Sequence, residues 1–287
     1  MASMAAILVS GVLLGSLYAL MASGLSVVWT TLGVFNFAHG ALMMIGAYVA
    51  WTVSEPAGLG LIPGIVAGTA AAALCGVLIE YLLVRPFYGS RHMLLATCMT
   101  TLAGMIVLEK GAQIVWGARL KQLPRLVGGD VSIFGATISA HEALIVVLAP
   151  VVLLALWRFT VVTNRGRSLR AVGQNQDAAA LIGIDVPVAF ATAFGLSAAL
   201  AGLTGALLGS IRFITPEMGS GPLVKAMIVV IFGGLGSLGA TAGAAYVIGL
   251  LEAVLVFWVG LYWTPFILFV LMIVVLVFRP NGLFGRS

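Results

Sequence analysis

The chain has 287 residues, of which 62% are apolar and 8% charged, against roughly 45–50% and about 25% in an ordinary soluble domain. This composition excludes a soluble fold, and no polar stretch is long enough to form a soluble catalytic domain such as an ATPase. The net charge of +5 comes from 14 Lys and Arg that stand mostly where apolar runs end, a distribution that membrane topology explains and a polyanion partner does not, so no nucleic acid is expected.

Taken in chain order, the apolar stretch 5–29 is long enough to cross ~30 Å of hydrocarbon at about 1.5 Å per residue. It lacks the basic leader of a cleavable signal and reads as a retained first helix. Further spans are expected near 31–53, 62–84, 93–116, 142–163 and 187–210, with two or three more in 223–279. The fold class is therefore all-α, a polytopic membrane protein of about eight or nine transmembrane helices. It reads as a single membrane domain over 1–287. Cys75 and Cys98 lie inside apolar runs, where a Cys behaves as a small hydrophobe, and neither a metal site nor a disulfide is expected.

Two runs are interrupted, at 33–40 (Gly-Val-Phe-Asn-Phe-Ala-His-Gly) and at 233–239 (Gly-Gly-Leu-Gly-Ser-Leu-Gly). Backbone that leaves the helix at membrane depth has to be buried in protein or line water, so these segments are candidate broken or re-entrant helices. The expectation is a pair of short half-helices, one in each half of the chain.

The basic residues orient the chain. Arg85 and Arg91, then Arg158, Arg165, Arg167 and Arg170, then Arg279 and Arg286, mark three cytoplasmic segments, and the opposing loops hold Arg119, Lys121, Arg125 and Arg212. With nine spans the N-terminus faces outward. The 36 glycines include the small-xxx-small pairs Gly11/Gly15, Gly64/Gly68, Gly205/Gly209 and Gly239/Gly243, read as packing faces on which helix backbones approach closely. Trp116 is expected in the headgroup belt, and Glu80 is expected to support the end of its helix by pairing with Arg85.

The most polar stretch is 163–185. Asp177 is placed to cap a short helix with an apolar face of Ala178, Leu181 and Ile182, closed by Gly183. A short amphipathic helix flanked by Arg167 and Arg170 suits docking onto a soluble partner.

Together these features bring out a resemblance. Gly15-Ser16-Leu17-Tyr18-Ala19-Leu20, Asn36-Phe37-Ala38-His39-Gly40 followed by Met44-Ile45-Gly46-Ala47-Tyr48, Arg85-Pro86, Gly166-Arg167-Ser168-Leu169-Arg170-Ala171, Ala180-Leu181-Ile182-Gly183-Ile184, Lys225-Ala226, Gly233-Gly234-Leu235-Gly236-Ser237, Glu252-Ala253 and Arg279-Pro280-Asn281-Gly282-Leu283-Phe284-Gly285 run in one order along nearly the whole chain. In this the sequence resembles the permease subunits of the branched-chain amino acid ABC importers, of the LivH type. The resemblance implies a multi-pass protein of the bacterial inner membrane that is not itself an enzyme. It implies a second homologous permease, two cytoplasmic ATPases that bind the ATP and Mg, and a periplasmic or lipid-anchored solute-binding protein. No cofactor is expected in this chain, whose lysines, Lys110, Lys121 and Lys225, stand in no G-x-x-x-x-G-K-[ST] loop. The segment 163–185, with Arg167, Arg170, Asp177, Leu181 and Gly183, is then the ATPase-coupling segment. The solute within such a family is a branched-chain amino acid, urea, a short amide or an aromatic acid.

Candidates for the translocation pathway are Asn36, Phe37, His39, Lys225 and Glu252. Asn36 and His39 either line the pathway or satisfy freed backbone groups. Lys225 precedes an apolar run, where a charge costs ~2.5–3.5 kcal/mol at the bilayer centre; it either pairs, with Glu252 as the partner, or stands at the outer interface. Two other classes of function compete. An ion-coupled secondary transporter would share the broken helices and intramembrane charges but leave 163–185 without a purpose. An intramembrane enzyme would need a motif such as H-E-x-x-H, and the three histidines, His39, His92 and His141, form none.

Overall fold

A computed structural model of the chain describes residues 2–133, 136–279 and 282–284. Pro280, Asn281, Gly285 and Arg286, quoted above, lie outside the described residues. The elements are α1 (Ala2–Leu32), α2 (His39–Ser54), α3 (Leu61–Ile79), α4 (Met93–Trp116), a hairpin of β1 (Asp130–Ile133) and β2 (Ala136–Ser139), α5 (Ala140–Val162), α6 (Asn164–Gln174), α7 (Gln176–Leu181), α8 (Val186–Gly209), α9 (Ser220–Gly233), α10 (Leu238–Val259) and α11 (Thr264–Phe278). Between α3 and α4 lie a π turn, Glu80–Val84, and a 3-10 turn, Arg85–Phe87.

Among the described residues, six helices are long and apolar enough to cross a membrane: α1, α3 with its two turns, α4, α5, α8 and α10, with mean hydropathy between 1.4 and 2.4. Two apolar helices, α9 and α11, are shorter. The protein is a helical, multi-pass membrane protein. The hairpin, with Val131 opposite Ile138 in antiparallel register, lies in the loop 117–140, which carried no strand signal beyond four-residue runs.

Both expected interruptions are present, and their causes are local. At the first, Gly33 accepts a left-handed φ of +69° while its N–H still closes the last turn of α1 on the Trp29 carbonyl, at 2.8 Å. The span expected at 31–53 therefore loses its first residues, and α2 begins only at His39. At the second, Gly234 and Gly236 have φ of +100° and +125°, and Ser237 starts α10 by accepting from the Ala240 N–H at 3.4 Å. The flanking elements differ from paired half-helices: α1 has 31 residues and α10 has 22, and only α2, with 16, and α9, with 14, are short.

The chain divides into two compact units, one of Met1–Ser26, Arg125–Leu154 and Val224–Ser287, the other of Val27–Pro124 and Ala155–Leu223. In the second, α2, α3 and α8 pack on one another through glycine. A Cβ on Gly46 of α2 would overlap the Gly202 backbone of α8; one on Gly205 would overlap the Met43 carbonyl, and one on Gly68 the Gly46 carbonyl. Tyr48, Leu42, Met43 and Met44 of α2 are fully buried as a result. In the first unit, Gly11 and Gly15 of α1 meet Leu250 and Tyr246 of α10, and Gly249 of α10 meets α1 backbone in return. Three of the four small-residue pairs are thus packing faces. Gly239/Gly243 is not: among the described residues a Cβ on Gly239 would meet nothing within 4 Å, and one on Gly243 only Phe284, at 3.9 Å.

The chain's last described residues return to the second interruption. Leu283 and Phe284 donate backbone hydrogen bonds to the Phe232 and Gly233 carbonyls at 2.9 and 3.3 Å, and Gly282, at φ +80°, rests against Gly234. Two motifs far apart in sequence therefore serve one purpose, the satisfaction of carbonyls that a broken helix leaves open.

Candidate functional site

The polar residues of the first interruption lie in the second unit and are fully buried: Asn36 and His39 have no solvent exposure. The Asn36 side-chain oxygen accepts from the Ala38 N–H at 3.0 Å, and its own carbonyl accepts from the His39 N–H at 3.2 Å. Asn36 thus folds the link back on itself as an Asx turn. The Phe37 N–H is taken by Thr101 Oγ1 of α4 at 3.2 Å. His39 Nδ1 lies 3.1 Å from Ser197 Oγ of α8, also fully buried. The Asn36 amide nitrogen and Thr97 Oγ1, one turn before Thr101, are buried without a hydrogen-bond partner among the described residues.

The first unit holds the charged site. Lys225 Nζ of α9 meets Glu252 Oε1 of α10 at 2.5 Å, with side-chain exposures of 19% and 3%. Tyr18 of α1 completes the arrangement: its hydroxyl donates to Glu252 Oε2 at 2.8 Å and accepts from Lys225 at 3.0 Å. The ammonium also lies 5.5 Å from the Tyr18 ring centroid, within cation–π range. Of the two readings of Lys225, pairing is the one the geometry supports. Both carboxylate oxygens and two of three ammonium protons are used, which is the condition under which a desolvated ion pair holds. Sequence reasoning missed Tyr18. Its signal was a lone hydroxyl-bearing aromatic in an otherwise apolar run, within a quoted motif.

The segment 163–185 forms α6 and α7 in the second unit. Thr163 caps α6 by accepting from the Gly166 N–H at 3.0 Å. Gly166 sits against Phe159 and Thr160, Gly173 sits against the Thr30 carbonyl, and Leu169 and Val172 are buried. The base of the segment is therefore fixed to α5 and to the end of α1. Its tip is different. Asp177, Leu181 and Gly183 are exposed there, Leu181 by 88% and Ile182 by 76%, and Arg167 and Arg170 are exposed on the outer side of α6. The cap of α7 is Asn175, which accepts from the Ala178 N–H at 2.9 Å, rather than Asp177. Asp177 falls in the first turn, because Asn175 has the extended backbone that a cap requires. Gly183 closes the helix at φ +85°, as its position suggested.

One smaller expectation is corrected. Glu80 accepts from the Tyr88 hydroxyl and makes no ion pair with Arg85 among the described residues; the Arg85 guanidinium lies 5.1 Å from the Tyr81 ring centroid, and residues five apart do not share a face of an α-helix. Trp116, the last residue of α4, packs onto α2: its indole N–H donates to Thr52 Oγ1 at 2.8 Å, and its ring stacks on Tyr48 with centroids 4.9 Å apart.

Comparison with known proteins bears on this arrangement. The family model described as "Branched-chain amino acid transport system / permease component" matches residues 7–276. The chain is 30% identical to the high-affinity branched-chain amino acid transport system permease protein LivH of Escherichia coli (strain K12), over 96% of this chain and 94% of that one. It is 31% identical to the corresponding permease protein BraD of Pseudomonas aeruginosa, over 97% and 95%. Among solved structures, PsaBC from Streptococcus pneumoniae in complex with Fab is similar in fold, with a TM-score of 0.50 at 11% identity, covering 92% of this chain and 89% of that one. Matched along nearly its whole length, the chain belongs to the family of permease components of branched-chain amino acid transport systems.

Proposed function

We propose that this chain is one permease subunit of an ATP-driven importer in the bacterial inner membrane, moving branched-chain amino acids or a related small solute. In this reading the six long helices, with α2, α9 and α11, make nine spans over one permease domain, and the C-terminal end faces the cytoplasm. A second homologous permease completes the pore. Two ATPase subunits bind the ATP and Mg, and a periplasmic or lipid-anchored binding protein delivers the solute. The observation that carries the reading is α6–α7: a segment anchored at its base by Gly173 and Leu169 and bare at its tip, where Leu181 and Ile182 stand in water. Two exposed aliphatic side chains at one helix end cost hydration that a partner's cleft would recover, at about 25 cal/mol per Å² covered. Motion of that partner would reach the Thr30 end of α1 through α6, and so the link that holds Asn36, Phe37 and His39; Lys225 and Glu252 belong to the pathway through the other unit.

The test is uptake into proteoliposomes that contain the permease pair, the ATPases and the binding protein. Gly183→Val forces a β-branched residue into φ +85°, and Asp177→Ala removes a charge from the tip without touching the cap. Both should insert normally and lose most ATP-driven uptake. Normal uptake in both would remove the coupling role, and uptake by the chain alone on an ion gradient would make it a secondary transporter.

A further inference from the structure

Within the second unit, the end of α3, its π turn and the first turn of α8 enclose a cleft of about 330 Å³. Its polar lining is Glu80, Arg85 and Asp185, and its apolar lining includes Leu78, Tyr81 and Val188. No ion pair joins Arg85 to either carboxylate among the described residues. Each carboxylate is held by something else. One oxygen of Asp185 caps α8 through the Val188 N–H at 3.1 Å. Glu80, only 2% exposed, accepts from Tyr88, whose phenol keeps its proton because burial, and then the Glu80 carboxylate, push its pKa up. The π turn, a feature common at functional sites, turns Glu80 and Val84 inward and leaves Arg85 exposed.

Arg85 acts on Glu80 through its charge but lies beyond ion-pair distance of both carboxylates among the described residues, so its guanidinium and the free Asp185 oxygen are together complementary to a ligand carrying both charges. The cleft also continues into an apolar stripe. Leu74, Leu78 and Leu82, four residues apart, are 67%, 54% and 61% exposed and form one face of the helix. Arg85 stands at the end of that stripe, where a long basic side chain reaches the headgroup layer.

We propose that this cleft binds a zwitterionic aminophospholipid, with the phosphate on Arg85, the primary ammonium on Asp185 and one acyl chain along Leu74, Leu78 and Leu82. Two carboxylates in the lining disfavour an anionic headgroup, and a quaternary ammonium has no N–H to give to Asp185. The inference rests on the membrane-spanning character of the chain and not on the importer reading.

The test uses the purified full chain in nanodiscs of equal phosphatidylethanolamine, phosphatidylglycerol and phosphatidylcholine, and counts retained lipid by native mass spectrometry after transfer to detergent. The expected result is retention of phosphatidylethanolamine over each of the others by roughly tenfold, the size of one charge-assisted hydrogen bond. Arg85→Gln should abolish retention. Asp185→Asn keeps the cap, since Asn caps as well as Asp, and should erase only the preference over phosphatidylcholine. Equal retention of the three lipids, a preference for phosphatidylglycerol, or an unchanged preference in Asp185→Asn would overturn the proposal. The lipid competition on the unaltered chain decides even if Arg85→Gln does not fold, and transport activity enters none of these readouts.

Discussion

The two polar sites solve one problem in different ways. Around Asn36 and His39 the groups are amide, imidazole and hydroxyl and mostly serve neighbours: Asn36 folds its own link, and hydroxyls of α4 and α8 meet the Phe37 N–H and His39. Around Lys225 and Glu252 the groups are charged, and the partners come from three helices, Tyr18 lying 207 and 234 residues away in sequence. A neutral buried group left unpaired costs about 1–3 kcal/mol, which one hydroxyl offsets. A buried charge left unpaired costs more than any single neutral contact supplies, so the charged site has to be assembled by the tertiary fold.

The largest effect that would break this contrast is at the ion pair. Lys225→Met or Glu252→Met alone should destabilise the protein by about 3–5 kcal/mol, whereas the double variant should return close to the parent, because an apolar replacement of a buried pair is often neutral. Unfolding in mixed detergent micelles measures all three. A double variant as unstable as the singles would show that the helices need the charges themselves. Next in size is the glycine packing beneath the site around Asn36 and His39. Gly46→Val drives two methyls toward the Gly202 backbone and should cost about 1–3 kcal/mol or more, read as a lower thermal midpoint and faster proteolysis. The smallest and sharpest comparison is between single hydroxyls. Tyr18→Phe and Ser197→Ala should each cost about 1 kcal/mol, and only Tyr18→Phe should become more damaging when Lys225 or Glu252 is also altered. Equal coupling for both would erase the distinction between the sites.

Much of the fold was legible residue by residue. Apolar run lengths placed α4, α5 and α8 within a few residues of their ends, and the glycine clusters marked both interruptions, since a left-handed φ at Gly33 or Gly234 is a local property. Lys225 and Glu252 drew attention because charge in an apolar run requires a partner. Other features escaped for stated reasons. Asn175 and Asp177 are both competent caps two residues apart, and only the backbone angle at Asn175 decides between them. Glu80 is five residues from Arg85, one more than the spacing at which side chains meet on an α-helix, so the helix period alone did not support the pair. Gly239/Gly243 has the same spacing as Gly11/Gly15 yet meets no helix among the described residues, because spacing reports which residues share a face and not what lies opposite it.

The sequence by itself determined that this is a multi-pass helical protein, where its helices break, and that a polar island separates α5 from α8. These follow from hydration and backbone geometry, which act within a few residues. Only the tertiary structure decided that Tyr18 joins Lys225 to Glu252, that Ser197 meets His39, and that Gly282 to Phe284 close the second interruption. Contacts between helices depend on which faces meet, and two faces of equal apolarity are indistinguishable until the chain is packed.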